Sequence, residues 1–378
     1  MTLRANQLVV PAVLTLLGLS TLIVGGCATL GYYAQSVGGQ MRVLSRAQPI
    51  ERVLHDPATP AEIRARLAAI QRIRSFAIDE LHLPDNGSYT HYADLGRPYV
   101  VWNVYATPEL SLKPKQWCFP VAGCVTYRGY FDQASAEEYA AALAREGYDV
   151  YVAGVNAYST LGWFRDPVFN SVLRRSEASI AGLIFHELAH QRLYVRDDTA
   201  FNESFAMAVE LEGARRWLSR DPDRYACPEC ETLDMARQLE EYLAGKQRHE
   251  QFVELLGRAR ARLEALYASA RGAGEQRAGK QQIFAGLREE YALLREEWGG
   301  YDGYDQWFGR PLNNAHLASV GIYHQYLPAF QALLEEHAGD LKAFYRDALR
   351  IGRLSGERRR VALRSLIGRV AGAATTNS

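Results

Sequence analysis

Ile184-Phe185-His186-Glu187-Leu188-Ala189-His190-Gln191 is the stretch around which the rest of the chain is arranged. Together with Ile180, Ala181 and Leu183 just before it, the run is apolar enough for a buried helix. On a helix, residues four apart share a face, so His186 and His190 can aim both imidazoles at one metal ion. Glu187 falls beside that pair and outside the ligand set, where a general base for an attacking water belongs. The competing reading is a buried, hydrogen-bonded histidine pair with a surface glutamate.

The following segment bears on that choice. A catalytic zinc commonly takes three protein ligands and leaves one position open. A third histidine placed shortly after a glycine would require Gly at 193 and His at 196; the chain has Leu193 and Arg196, so that pattern is excluded. Asp197-Asp198-Thr199 instead reads as a turn and N-cap opening a second helix near Ala200. If the two helices pack antiparallel, Glu203 faces the histidine pair. Glu210, seven residues on, lies on the same face and is the rival ligand.

The 378 residues are 48% hydrophobic, enough for a large core in one domain or two small ones. Lys+Arg and Asp+Glu balance at 43 each, so nothing in the charge points to nucleic acid or another polyanion. The five cysteines divide into a single Cys27 and two close pairs, Cys118 with Cys124 and Cys227 with Cys230. That division fits an exported chain with one modified cysteine and up to two disulfides. The second pair has no further C-x-x-C to complete a structural zinc site, so a disulfide or a thiol pair is expected there.

Residues 1–26 read as an export signal: Arg4, an apolar run from Leu8 to Val24, then Gly25-Gly26 before Cys27. A retained membrane-spanning helix is the alternative, because that run is just long enough to cross a bilayer. Residues 27–40 are expected to be an anchor and tether, 41–370 the folded domain, and 371–378 a tail without structure. Within the domain, 41–165 is helical and then β-rich, and 166–370 is helical. Helices are expected over Met41–Ala47, Pro60–Leu81 and Ala134–Glu146, with strands at Tyr99–Tyr105 and Asp149–Val155. Two long charged helices, Thr232–Leu266 and Gln281–Trp298, flank a glycine-rich stretch, 271–280, that reads as their hairpin. The fold class is α+β, predominantly helical, with a small mixed sheet before the helix of His186. The basic amphipathic segment Gly356–Gly372 reads as a docking helix.

His186-Glu187-Leu188-Ala189-His190-Gln191 followed by Asn202-Glu203-x-Phe205-Ala206 resembles the zinc signature of gluzincin aminopeptidases, with a shorter connector between the halves. With Trp102-Asn103-Val104-Tyr105-Ala106, Phe119-Pro120-Val121-Ala122-Gly123-Cys124 and Ala157–Phe164, the chain is similar to a family of bacterial lipoproteins described as aminopeptidases. The resemblance covers most of the chain after the anchor. It implies a zincin-like metallopeptidase domain, one Zn2+ per chain on His186, His190 and Glu203, Glu187 as general base, and a peptide or protein substrate. The residues around Cys27 resemble a lipobox, implying a lipidated Cys27 and an envelope protein facing the periplasm. Ala28 in place of Asp implies the outer membrane.

The resemblance further implies that the strand Ala157–Phe164 pairs with an extended substrate. It also implies an oxyanion donor from a downstream helix: Tyr323 first, then His324, His316 and Tyr326. An aminopeptidase needs an acid for the substrate's α-ammonium; Glu210 and Asp198 are the acids near in sequence, and neither is singled out. A zinc endopeptidase and a non-catalytic zinc-binding envelope lipoprotein are the alternative readings.

Overall fold

The computed structural model describes residues 31–119, 123–157, 160, 165–220, 235–321 and 325–376, with side chains as far as 368. In chain order the elements begin with α1 (31–46), β1 (Ala47–Pro49), α2 (Ile50–His55), α3 (Ala61–Asp79), β2 (His91–Ala93) and β3 (Val101–Pro108). Next come β4 (Trp117–Phe119), β5 (Gly123–Val125), β6 (Arg128–Tyr130), α4 (Gln133–Arg145), β7 (Tyr148–Val155) and β8 (Val168–Phe169). The helical part follows as α5 (Glu177–Arg192), α6 (Thr199–Leu218), α7 (Met235–Tyr267) and α8 (Ala273–Glu297). It ends with α9 (Asp305–Phe308), α10 (Asn314–Ser319), α11 (Leu327–Glu336), α12 (Leu341–Gly352) and α13 (Gly356–Thr376).

Helices α5 and α6 are the centre of the main core. The Ser176 hydroxyl caps α5 by accepting from the Ser179 amide at 3.2 Å. Ile180, Ala181, Ile184, Phe185, Leu188 and Ala189 are buried on several sides, so α5 runs through the core and not along its surface. A six-residue connector turns the chain back, through Asp197 at φ 61°. Asn202 clamps that turn: its Oδ1 accepts from the Val195 amide at 2.7 Å, and its Nδ2 donates to the Val195 carbonyl at 2.8 Å. Asp198 caps α6 at the Phe201 amide, 3.1 Å away. The return is antiparallel, so Glu203 stands level with His186 and Glu210 level with Gly182. Phe76 of α3 packs against Phe185 and Trp217, and Phe330 and Phe344 close on Phe201 and Phe205 from the other side.

The β structure differs from the single mixed sheet expected. It divides into a three-stranded sheet β1-β2-β8, a three-stranded sheet β6-β3-β7 and the hairpin β4-β5. Only the first is mixed, with β2 antiparallel to β1 and parallel to β8. The second is antiparallel throughout, with Trp102 opposite Tyr130 and Gly154. Along β3, Trp102, Val104 and Ala106 alternate inward onto Ala136, Ala140 and Leu143 of α4, which forms a separate small core. Cys118 and Cys124 are joined by a disulfide across the β4-β5 hairpin.

Three boundaries also shift. Residues 31–40, expected as tether, are helical in α1. Tyr32 of α1 stacks on Phe119 and receives the Arg128 guanidinium on its face, and the Gln35 amide reaches the Gly129 carbonyl, so the segment has a surface to fold against. The α7–α8 turn is shorter than 271–280: Gly274 and Gly279 lie inside α8, and Gly279 sits where a Cβ would meet Leu266 at 2.9 Å. At the C-terminus α13 runs through Thr376, into the alanine-rich stretch expected to lack structure.

Candidate metal centre

The antiparallel α5–α6 pair brings three ligand side chains together. His186 Nε2 and His190 Nε2 are 3.2 Å apart, and they lie 3.3 and 3.5 Å from the two oxygens of Glu203. A tetrahedral ion with bonds of about 2.0–2.1 Å places its ligands about 3.3–3.4 Å from one another. The separation of the two Nε2 atoms matches that size, each imidazole has one Glu203 oxygen at a similar distance, and two imidazoles with one carboxylate suit zinc. His186, His190 and Glu203 form a group that could hold a metal ion.

Glu210 is not a ligand in this arrangement. It stands behind His186 and its Oε2 accepts from Nδ1 at 2.9 Å. That contact puts the ring proton on Nδ1 and turns Nε2, with its lone pair, toward the other two ligands. Helix α7 completes the support: the Tyr242 hydroxyl donates to Glu210 at 2.6 Å, and the Lys246 ammonium binds the same carboxylate oxygen. Burial alone would raise the Glu210 pKa, but the hydrogen bond from His186 and the Lys246 charge outweigh it and bring it down to about 2. Sequence reading missed Tyr242 and Lys246, because on a charged helix two polar residues four apart look like a solvated face. Gly182 is the trace they leave: a Cβ there would meet the Tyr242 hydroxyl at 2.5 Å and Glu210 at 3.1 Å.

The two histidines of the triad are shifted in opposite directions. Burial opposes charge on His186, yet the hydrogen bonds of Glu203 and Glu210 prevail and raise its pKa to about 10. His190 goes the other way, to about 4, through burial and then the neighbouring His186 charge. His186 thus lies between two carboxylates, Glu203 at Nε2 and Glu210 at Nδ1, a surrounding that favours positive charge. Nδ1 of His190 is buried without a hydrogen-bond partner.

Glu187 lies beside the ligand pair and borders two cavities. Burial is the main reason its pKa rises to about 7, opposed by His186 and assisted by Glu203, which suits a group that must both take and return a proton. It borders a small cavity shared with Tyr89, Ala157 and Leu183. Tyr89 holds a left-handed φ of 62° and its amide donates to the Asp166 carbonyl at 2.7 Å. Asp166 in turn anchors Thr160 through its backbone amide at 2.9 Å and its hydroxyl at 2.7 Å. Of the expected substrate-pairing strand, Ala157 and Thr160 are described and Ala157 borders the Glu187 cavity; 158–159 and 161–164 lie outside the described residues. On the open side His186, Glu187 and Glu210 border a cleft of about 740 Å3 walled by α5 and α7.

The remaining sequence candidates separate. Tyr323, His324, Cys27, Cys227 and Cys230 lie outside the described residues. His316 is away from the triad: it packs 4.0 Å from the Tyr151 ring and against Trp307. Tyr326 is buried in the main core, its amide donating to the Ser204 hydroxyl at 3.1 Å. Neither acid considered for an α-ammonium is free, since Glu210 is engaged as above and Asp198 binds the Arg359 guanidinium at 2.7 Å. Tyr194, not singled out from sequence, is half-exposed with its ring edge-on to His190, 6.4 Å between centroids.

Comparison with curated proteins and with solved structures finds no match. A family profile described as "Putative aminopeptidase" matches residues 31–363, which takes in both ligand helices, the helix that supports them and the β-rich part before them; the chain belongs to that family.

Proposed function

We propose that the protein is a zinc-dependent peptidase of the cell envelope, with aminopeptidase the finer reading taken from its family. The observation that carries it is the grouping of His186, His190 and Glu203, with 3.2 Å between the two Nε2 atoms and 3.3 and 3.5 Å from them to the two Glu203 oxygens, beside a cleft that His186 and Glu187 border. A structural zinc site would be closed by a fourth protein ligand and would have no use for Glu187.

A zinc ion held there would supply Lewis acidity, making an attacking water more acidic and the scissile carbonyl more electrophilic. His186, oriented by Glu210, and His190 and Glu203 fix its position. Glu187 takes the proton from the attacking water as oxygen bonds to the carbonyl carbon. It then returns that proton to the amide nitrogen as the C–N bond breaks, so the carboxylate ends as it began. The charge that develops on the carbonyl oxygen needs a donor. Tyr323 is the donor proposed from the resemblance and Tyr194 the one the geometry adds. We further propose an exported, lipid-anchored chain modified at Cys27 and located at the outer membrane. It rests on the N-terminal sequence; among the described residues no helix is long and apolar enough to cross a membrane.

The test compares wild type with Glu187→Gln as zinc-loaded protein, on peptide pools with free and with acetylated N-termini. Wild type should cleave, and the variant should lose at least about a hundredfold in kcat while holding the same one zinc per chain. Preference for the free pool would mark an aminopeptidase. Equal turnover by both proteins would remove Glu187 from the mechanism, and a chain that takes up no zinc would overturn the whole reading.

A further inference from the structure

The charges that line the cleft are equal in number but are not all paired with one another. Three acids border it: Glu187, the Glu210 that His186, Tyr242 and Lys246 occupy, and Glu241, which pairs with Arg237 at 2.9 Å. Three strong cations border it as well. Lys246 is spent on Glu210, but Arg175 and Arg248 have no carboxylate within ion-pair distance among the described residues. Arg248 lies over the Tyr301 ring, 4.4 Å from its centroid, with a buried Nε that has no hydrogen-bond partner. Arg175 is half-buried just before the N-cap of α5, and among the described residues its side chain makes no hydrogen bond. Burial pulls its pKa down, and the Glu210 charge counters it. A guanidinium held half out of water with no partner is costly, and in a substrate cleft the missing partner is expected to arrive with the ligand.

We propose that Arg175 is a carboxylate-binding residue and that the substrate is a peptide carrying a carboxylate, an acidic side chain or a free C-terminus, a few residues from the bond cleaved. This rests on the peptidase reading and adds to it the class of substrate. The spacing follows from the helix. Arg175 lines the cleft with Ser176 and Ser179, which precede His186 on α5 by about 15 and 10 Å at 1.5 Å per residue. An extended peptide advances about 3.3 Å per residue, so the carboxylate sits roughly three to five residues from the scissile bond. Guanidinium meets carboxylate through two parallel hydrogen bonds, and Arg248 adds positive potential to the same cleft.

The experiment uses the full zinc-loaded chain and peptide pairs in which one glutamate is walked along the sequence, each beside its glutamine counterpart, with free or amidated C-termini. Wild type should favour the carboxylate by about ten- to hundredfold in kcat/KM at one spacing, mostly through KM. The walked glutamate and the free C-terminus separate the two sources of the charge. Arg175→Ala should bring that ratio to about one, and Arg175→Lys should keep part of it, with zinc content unchanged in both. A wild-type ratio near one, or a ratio that survives Arg175→Ala, overturns the proposal while leaving the peptidase standing. The same pairs are also titrated as fluorescent ligands into zinc-loaded Glu187→Gln. Tighter binding of the carboxylate member there, lost with Arg175→Ala, supports the site even if wild type cleaves nothing; equal binding overturns it.

Discussion

At the scale of single residues, the centre turns on the division of work between two glutamates on one face of α6. Glu203 reaches Nε2 of both histidines, while Glu210 holds Nδ1 of His186 and never meets His190. Glu203→Ala should therefore abolish metal binding, whereas Glu210→Gln should weaken it by about ten- to a hundredfold, as losses of outer-shell partners do. Titration against a chelator of known affinity reads both. Equal losses would mean that the two carboxylates share the ligand role. Spacing alone does not separate them, because residues seven apart return to the same side of a helix. What separates them is how far along the antiparallel partner each one stands, and the connector clamped by Asn202 sets that. The His186-Glu187-His190 part was legible because it depends on one helix. The role of Glu210 was not, since it depends on Tyr242 and Lys246, 32 and 36 residues further on.

Between elements, the contacts that matter are the ones that lack side chains. Gly213 of α6 lies where a Cβ would meet Phe185 at 2.6 Å and Leu81 at 2.7 Å, so α5, α6 and the end of α3 approach closely only because that position is bare. Gly182 plays the same part between α5 and the Tyr242 hydroxyl of α7. Either glycine replaced by alanine would gain about 1 kcal/mol of helix propensity on an isolated helix. In the protein, overpacking of about 1–3 kcal/mol should exceed that gain, so both variants should be less stable in urea titration. Only Gly182→Ala should also weaken metal binding, because it alone pushes on the carboxylate behind His186. A Gly213→Ala variant with impaired metal binding but full stability would contradict this account. The long helices and β3 and β7 were legible from their periodicity. The strands β1, β2 and β8 were not: two or three residues carry no alternation to read, and they exist because neighbours with longer strands of sequence between them supply the pairing.

Across the whole molecule, the described residues form three hydrophobic clusters: one holds α5 and α6, and most of the α7–α8 hairpin belongs to another. One end of that hairpin touches the centre through Tyr242 and Lys246; further along, it is fastened to the sheet. Lys280 of α8 binds Asp149 of β7 at 2.6 Å and the Glu109 carbonyl at 2.9 Å, and the same Asp149 oxygen accepts from the Asn314 amide at 2.8 Å. Both side chains are nearly enclosed, at 11% and 13% exposure, so this pair is of the desolvated kind. Removing one partner from such a pair strands the other, which is worse than removing the charge that stands alone. Asp149→Ala should cost about 3–5 kcal/mol, because it leaves the Lys280 ammonium buried against a carbonyl and the Asn314 amide unpaired. The double change Asp149→Asn with Lys280→Met keeps the shape and buries no charge, and should recover most of that loss. Chemical denaturation of wild type, Asp149→Asn, Lys280→Met and the double variant reads the coupling directly, with Asp149→Ala beside them. If the double variant is as unstable as Asp149→Ala alone, the ion pair is not what fastens the hairpin, and its packing against Leu112 and Leu317 carries the attachment instead.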